Sequence, residues 1–216
     1  MTKLFSYAKI KYLKVMLSRG QLMPEKKTRF SLIKDAAWGR ISKGIGDNLL
    51  DPDFLKEKVL QLDIQDWIIT IDSYKSSGNL HTRFRAPLFN NERYSIKIFT
   101  KGKSTNVMKF FGMQDIVVGH ADVDEKYIIQ GNNKKILEGL FQNNSLRELL
   151  MEQEDILIQV KDDESWFKES IKEPVDELYV EVPYLIKNAE QLESVYKIFS
   201  DILIYLCDNA SAYFDS

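Results

Sequence analysis

The sequence predicts an α+β domain: a mainly antiparallel sheet, built from a meander plus later strands and covered by helices, including a long C-terminal one. Three observations carry this. Between Trp67 and Phe99, short β-branched and aromatic runs are separated by turn-forming residues, as in antiparallel strands with tight connections. From Ala189 to Asp208, the residues Leu192, Val195, Ile198, Phe199, Ile202, Leu203 and Leu206 recur at the spacing of one buried helix face. Between these regions, Gly112 to Leu140 reads as two short strands feeding one amphipathic helix, and the rest of the domain is organised around it.

Residues 1–18 read as a lysine-rich helix with a wide apolar face, closed by Gly20 as a C-cap. A linker over 21–28 and a second helix over 30–41 follow, then the turn-rich patch Gly44-Ile-Gly-Asp-Asn48. A basic helical segment, 1–50, is thus expected to precede an α+β domain, 51–216. Asp51, followed by Pro52, has the chemistry of a helix start, and that helix is expected to run to about Leu62.

The period then changes. Trp67 to Ile71 is a strand, Ser76 to Asn79 a turn, and Thr82 to Ala86 a second strand ended by Pro87. After a turn at Asn90 to Glu92, Tyr94, Ile96 and Ile98 alternate with Ser95, Lys97 and Phe99, which predicts a strand with one buried face. Three strands on short turns make a meander. Asn132 or Asn133 caps the helix that buries Ile136, Leu137, Leu140 and Phe141. Ser145-Leu-Arg-Glu148 reads as a capping box opening a helix with Leu146, Leu149 and Leu150 inside. Ile156, Ile158 and Val160 give a strand, Asp162 to Ser165 a turn, and Leu178, Val180 and Val182 a strand stopped by Pro183.

The 216 residues are 44% hydrophobic and 29% charged, a globular balance that needs no staples. The single cysteine, Cys207, excludes an internal disulfide framework and reads as packing on an apolar helix. No run approaches the roughly 18 apolar residues of a membrane span, and lysines interrupt the first residues too often for a signal peptide. A cytoplasmic protein, peripheral to the membrane at most, is expected. The net charge of −2 conceals a split. Up to Lys43 there are 11 bases and 2 acids, net +9; the remainder has 19 bases and 30 acids, net −11. Such a split suits an electrostatic contact between the halves, with the N-terminal helix packed on the domain, or else an acidic protein partner or an anionic membrane surface for the basic front.

Motifs of chemistry are incomplete. Gly102-Lys-Ser-Thr105 would be the end of a phosphate loop, but Lys97 stands where its first glycine belongs. Gly39 and Gly44 have the glycine spacing without the Lys-Ser/Thr that should follow. His120, Asp122, Asp124 and Glu125 sketch a metal site, yet a calcium loop from Asp122 would need an oxygen donor at Lys126 and a glycine at Tyr127. Two histidines, His81 and His120, with one cysteine make no zinc motif. The run Asp162-Asp-Glu164 is a solvated turn rather than a catalytic pair. No nucleophile elbow is present. Basic residues with Tyr7, Tyr12 and Trp38 lack a recognition motif, which argues against nucleic acid.

Thr82-Arg-Phe-Arg-Ala-Pro87, Gly112-Met-Gln-Asp-Ile-Val-Val-Gly119, Tyr127-Ile-Ile-Gln-Gly-Asn132, Val160-Lys-Asp-Asp-Glu164 and Val175-Asp-Glu-Leu-Tyr179 together resemble an uncharacterised family of soluble bacterial proteins, a domain of unknown function, over about residues 67–216. Where that pattern has phenylalanines, Val123 and Tyr127 stand here, still apolar. The resemblance implies an α+β fold and brings no activity, cofactor or catalytic residue.

The resulting expectation is a non-enzymatic binding or scaffold protein without cofactor or metal. Its sheet would be roofed by helices on one side and would bury no reactive groups. Its contact residues would be Lys9, Lys11, Lys14 and Arg19. The alternative is a small-ligand protein or enzyme with a site near His120, Asp122 and Asp124, and the N-terminal helix could also pair two copies of the chain.

Overall fold

Alternation of side chains along eight strands builds the sheet of this computed structural model, which describes residues 60–64, 67–89, 93–102, 114–162 and 175–211. The strands are β1 (Leu60–Ile64), β2 (Trp67–Ser76), β3 (Asn79–Phe89), β4 (Ile96–Thr100), β5 (Gln114–Asp115), β6 (Tyr127–Gly131), β7 (Leu157–Asp162) and β8 (Val175–Val182). Their order is β1-β2-β3-β8-β7-β4-β6-β5, and every pairing is antiparallel. The registers set Ile71, Phe84, Val180, Ile158, Ile98 and Ile129 in one row across six strands. None of the six is more than 2% exposed. At roughly 1.5–3 kcal/mol for each such side chain, this row forms one continuous strip of the apolar core.

Among the described residues, four helices accompany the sheet: α1 (Ala121–Lys126), α2 (Lys134–Leu140), α3 (Asn144–Glu152) and α4 (Ala189–Ser211). The seven apolar residues that predict the last helix are all buried in α4. Phe199 of α4 meets Phe84 of β3 with ring centroids 6.0 Å apart, so α4 roofs the apolar side of the sheet. Ile136, Leu137, Leu140 and Phe141 are buried as expected, and Asn133 caps α2 by accepting from the Ile136 amide. The α+β class is therefore observed, with its antiparallel sheet and long C-terminal helix.

Several finer expectations need correction. Leu60 to Leu62, read as the end of a helix, belongs to β1, where apolar and polar residues alternate with the period of a strand. The meander is β1-β2-β3, with the turn at Ser77 and Gly78 in positive-φ conformations that suit a tight hairpin. β4 is not its next strand, because β8 and β7 lie between β3 and β4. β3 continues through Pro87, which is tolerated because its pairing with β2 ends at Arg85. β4 is buried on both faces, Lys97 and Phe99 included, where alternation predicted one exposed face.

In the central stretch only Gln114 and Asp115 form a strand before β6, and the Asp122 segment is the short helix α1. Gly119, at φ +85°, turns the chain there. Asp124 then accepts from the amides of Val118 and Gly119, each at 2.9 Å, which folds the chain back on itself. The cap of α3 is Asn143, whose Oδ1 accepts from the Leu146 amide at 3.2 Å, so Ser145 lies inside the helix it was expected to open. The helices expected within residues 1–59, the Asn90 to Glu92 turn, most of the Asp162 to Ser165 turn, and Lys9, Lys11, Lys14 and Arg19 lie outside the described residues.

Candidate functional site

A strand that sends Ile71 or Val180 toward the helices sends its neighbours to the opposite side. The registers align Thr70, Arg85, Tyr179, Gln159, Lys97, Gln130 and Asp115 in one polar row across seven strands. Beside it run Asp72, Arg83 and Glu181, with Tyr74 and His81 paired one step further along. Thr70, Asp72, Arg85, Lys97, Gln130, Gln159, Glu177 and Tyr179 are only 4–8% exposed. The expectation that no reactive groups would be buried is thus overturned: this side of the sheet is polar, ionisable and largely dry.

Burying charge is costly unless each group is paired. Asp72 is held by three guanidinium contacts: Arg83 Nε at 2.6 Å, Arg83 Nη2 at 3.0 Å and Arg85 Nη2 at 2.8 Å. The hydrogen bond to Asp72 holds the Arg83 guanidinium firmly charged, outweighing burial. Glu181 forms the second centre. Its Oε2 accepts from Tyr74 at 2.7 Å and from Tyr179, and its Oε1 accepts from His81 Nδ1 at 2.8 Å. Against an ionised carboxylate the His81 Nδ1 carries its proton. The guanidinium of Arg83 lies 4.6 Å from the Tyr74 ring centroid and links the two centres.

These contacts set the electrostatics. Burial alone would raise the Glu181 carboxyl, but hydrogen bonds from Tyr179, Tyr74 and His81 outweigh it and hold the group below the ordinary glutamate value. Burial, followed by the bond to Glu181, pushes the Tyr179 hydroxyl far above the tyrosine range. Lys161, half-buried, has its Nζ 3.0 Å from the Tyr179 ring centroid. Burial lowers its ammonium to about 8, partly opposed by Glu177 and Glu181. Lys97 is likewise lowered by burial.

The residues singled out by sequence are arranged differently. Asp122 is exposed, and Asp124 spends both carboxylate oxygens on backbone amides. His120 Nε2 lies 3.5 Å from Arg147 Nη1. These three side chains do not line the cleft of about 440 Å³ formed by residues such as Gln114, Ile116, Asn132 and Lys134. Among the described residues, no group of three or more His, Cys, Asp or Glu could hold a metal ion. Cys207 is half-buried on α4, and burial pushes its thiol up to about 12, which keeps it protonated at neutral pH. No described helix is long and apolar enough to cross a membrane.

Sequence reading passed over Asp72, Arg83, Arg85, Tyr179 and Glu181 because alternating polar residues look the same whether they face water or a covered surface. The available signal was composition: Thr70, Tyr74 and Tyr179 occupy polar-side positions with bodies that suit a half-dry setting. Comparison with protein-family models, with curated proteins and with solved structures finds no match.

Proposed function

We propose that this chain is a non-enzymatic binding or scaffold protein, cytoplasmic and peripheral to the membrane, whose basic N-terminal segment engages an anionic membrane surface. One observation carries the non-enzymatic part: the carboxylates Asp72 and Glu181 on the sheet are committed to neighbouring donors. Asp72 is matched by two arginines, and Glu181 by two tyrosines and a histidine. A nucleophile or base needs a partner it can exchange protons with during reaction, and carboxylates clamped this way serve structure. Asp124, from the alternative site, is likewise committed to amides.

The membrane part rests on the net +9 of residues 1–43. Juxtamembrane basic residues contribute about 1 kcal/mol each at an anionic surface. The resemblance to soluble bacterial proteins of unknown function belongs to the same proposal and adds no activity to it.

Co-sedimentation of the full chain with vesicles tests the reading. Binding to vesicles containing phosphatidylserine, weak binding to neutral ones, and a loss of roughly 100-fold or more on joint reversal of Lys9, Lys11, Lys14 and Arg19 to glutamate are expected. Equal binding by parent and variant on both vesicle types would remove the membrane role and leave an acidic protein as the partner to seek.

A further inference from the structure

The four described helices all pack on one side of the sheet. Val123 of α1, Leu137 of α2, Leu150 of α3 and Phe199 of α4 belong to a single apolar cluster with the inward row of the strands. An antiparallel sheet with its other face uncovered gives that face to water. Yet from Thr70 on β2 to Gln130 on β6 the polar row is only 4–8% exposed. That row crosses six strands, a width of about 24 Å. Phe99, two residues beyond Lys97 on the same side, is 6% exposed and Tyr179 is 5% exposed, and both rings lie outside the apolar cluster. Rings buried apart from the core require apolar partners in a second layer.

Three stretches outside the described residues are longer than ten residues: 1–59, 103–113 and 163–174. The stretch 103–113 links β4 to β5, which are parallel because both run antiparallel to β6. β6 and β7 are parallel too, and their crossover through α2 and α3 lies on the helix side. The two crossovers step in opposite directions along oppositely directed strands, so the same hand puts both on the helix side. The stretch 163–174 begins and ends where Asp162 faces Asp176. Folded out and back, it spans about 20 Å at full stretch, which reaches one flank of the row and not both. Residues 1–59 instead enter at Leu60 of β1, the edge strand beside β2 and its buried Thr70 and Asp72.

Charge divides that segment. Residues 1–27 have seven bases and one acid, net +6; residues 28–59 have six bases and five acids, net +1. The polar side of the sheet carries the acids Asp72, Asp115, Glu177 and Glu181. Against them stand Arg83, Arg85, Lys97 and Lys161, so the side is balanced and matches the nearly neutral part. That part also holds Phe30, Trp38, Ile41 and Phe54, apolar partners for the two rings.

We infer that the polar side of the sheet is the docking surface for this chain's own residues 28–59, which close over Asp72, Phe99 and Tyr179 as a second layer. Lys9, Lys11, Lys14 and Arg19 precede that layer, so docking leaves them available to an anionic surface and does not depend on their binding one.

Hydroxyl-radical footprinting of the full-length protein, read by peptide mass mapping, tests the assignment. In the double variant Trp38→Asp, Ile41→Asp, oxidation of Phe99 and Tyr179 should rise severalfold while Phe199, under α4, stays protected. Unchanged protection of Phe99 and Tyr179 would overturn the inference. If the variant unfolds, Phe199 is oxidised as well, and a cross-link in the otherwise unaltered chain decides. A benzophenone amino acid in place of Tyr74, half-buried on the polar side of β2, should photo-cross-link to peptides from 28–59 of the same chain. Cross-links confined to 163–174 or to a second copy, or none within 28–59, would overturn it.

Discussion

Glu181 illustrates how single residues set the behaviour of this protein. Left alone in its position, the carboxyl would titrate high; three donors bring it below the ordinary value instead. A group whose value is depressed by folding contributes stability that is complete above the unfolded value, near 4.5, and is lost as pH falls through the folded one. Urea midpoints measured from pH 6 to pH 3 should therefore fall more steeply for the parent protein than for Glu181→Gln. At pH 7 the glutamine variant should be less stable by about 1–3 kcal/mol, since it keeps acceptor capacity but loses the charge that strengthens three hydrogen bonds. Parallel curves for the two proteins would show that Glu181 is uncoupled from folding.

At the scale of elements, α3 separates two readings of one short sequence. The Ser145 to Glu148 spacing satisfies the capping-box pattern, but the helix starts earlier because Asn143 reaches the Leu146 amide first. Asn143→Ala should cost about 1 kcal/mol in chemical denaturation, and Ser145→Ala within about 0.5 kcal/mol of nothing. The reverse order would restore the capping box. The same contrast marks what local pattern can reveal. The heptad-like spacing of Leu192 to Leu206 names a buried helix face whatever surrounds it, and the Ser77-Gly78 pair names its hairpin. Nothing near Phe84 or Ile98 states that β8 and β7 will lie between their strands, because Phe84 pairs with Val180, 96 positions on, and Ile98 with Ile158, 60 positions on. Asp124 was legible as a chemical group but not as a cap on Val118 and Gly119, which depends on the turn at Gly119.

For the whole molecule, the decisive property is that the sheet is covered on both sides: one side dry and apolar under α4, the other polar and internally paired. Nothing in the sequence around Arg83 and Arg85 names Asp72 as their partner, and only the assembled sheet sets both against it. Asp72→Ala removes the anion shared by two arginines and should destabilise the protein by about 3–5 kcal/mol in urea titration. A cost under about 1 kcal/mol would mean that water screens this network.

The strand order also bears on how the chain is made. During synthesis, β3 and β4 emerge long before the pair of strands that must separate them, so each waits with an unsatisfied edge until residues 157–182 have left the ribosome. The earlier part of the sheet cannot close on itself. A nascent chain halted before β7 would carry two open templates for pairing with other chains, and chaperone protection matters most in that interval.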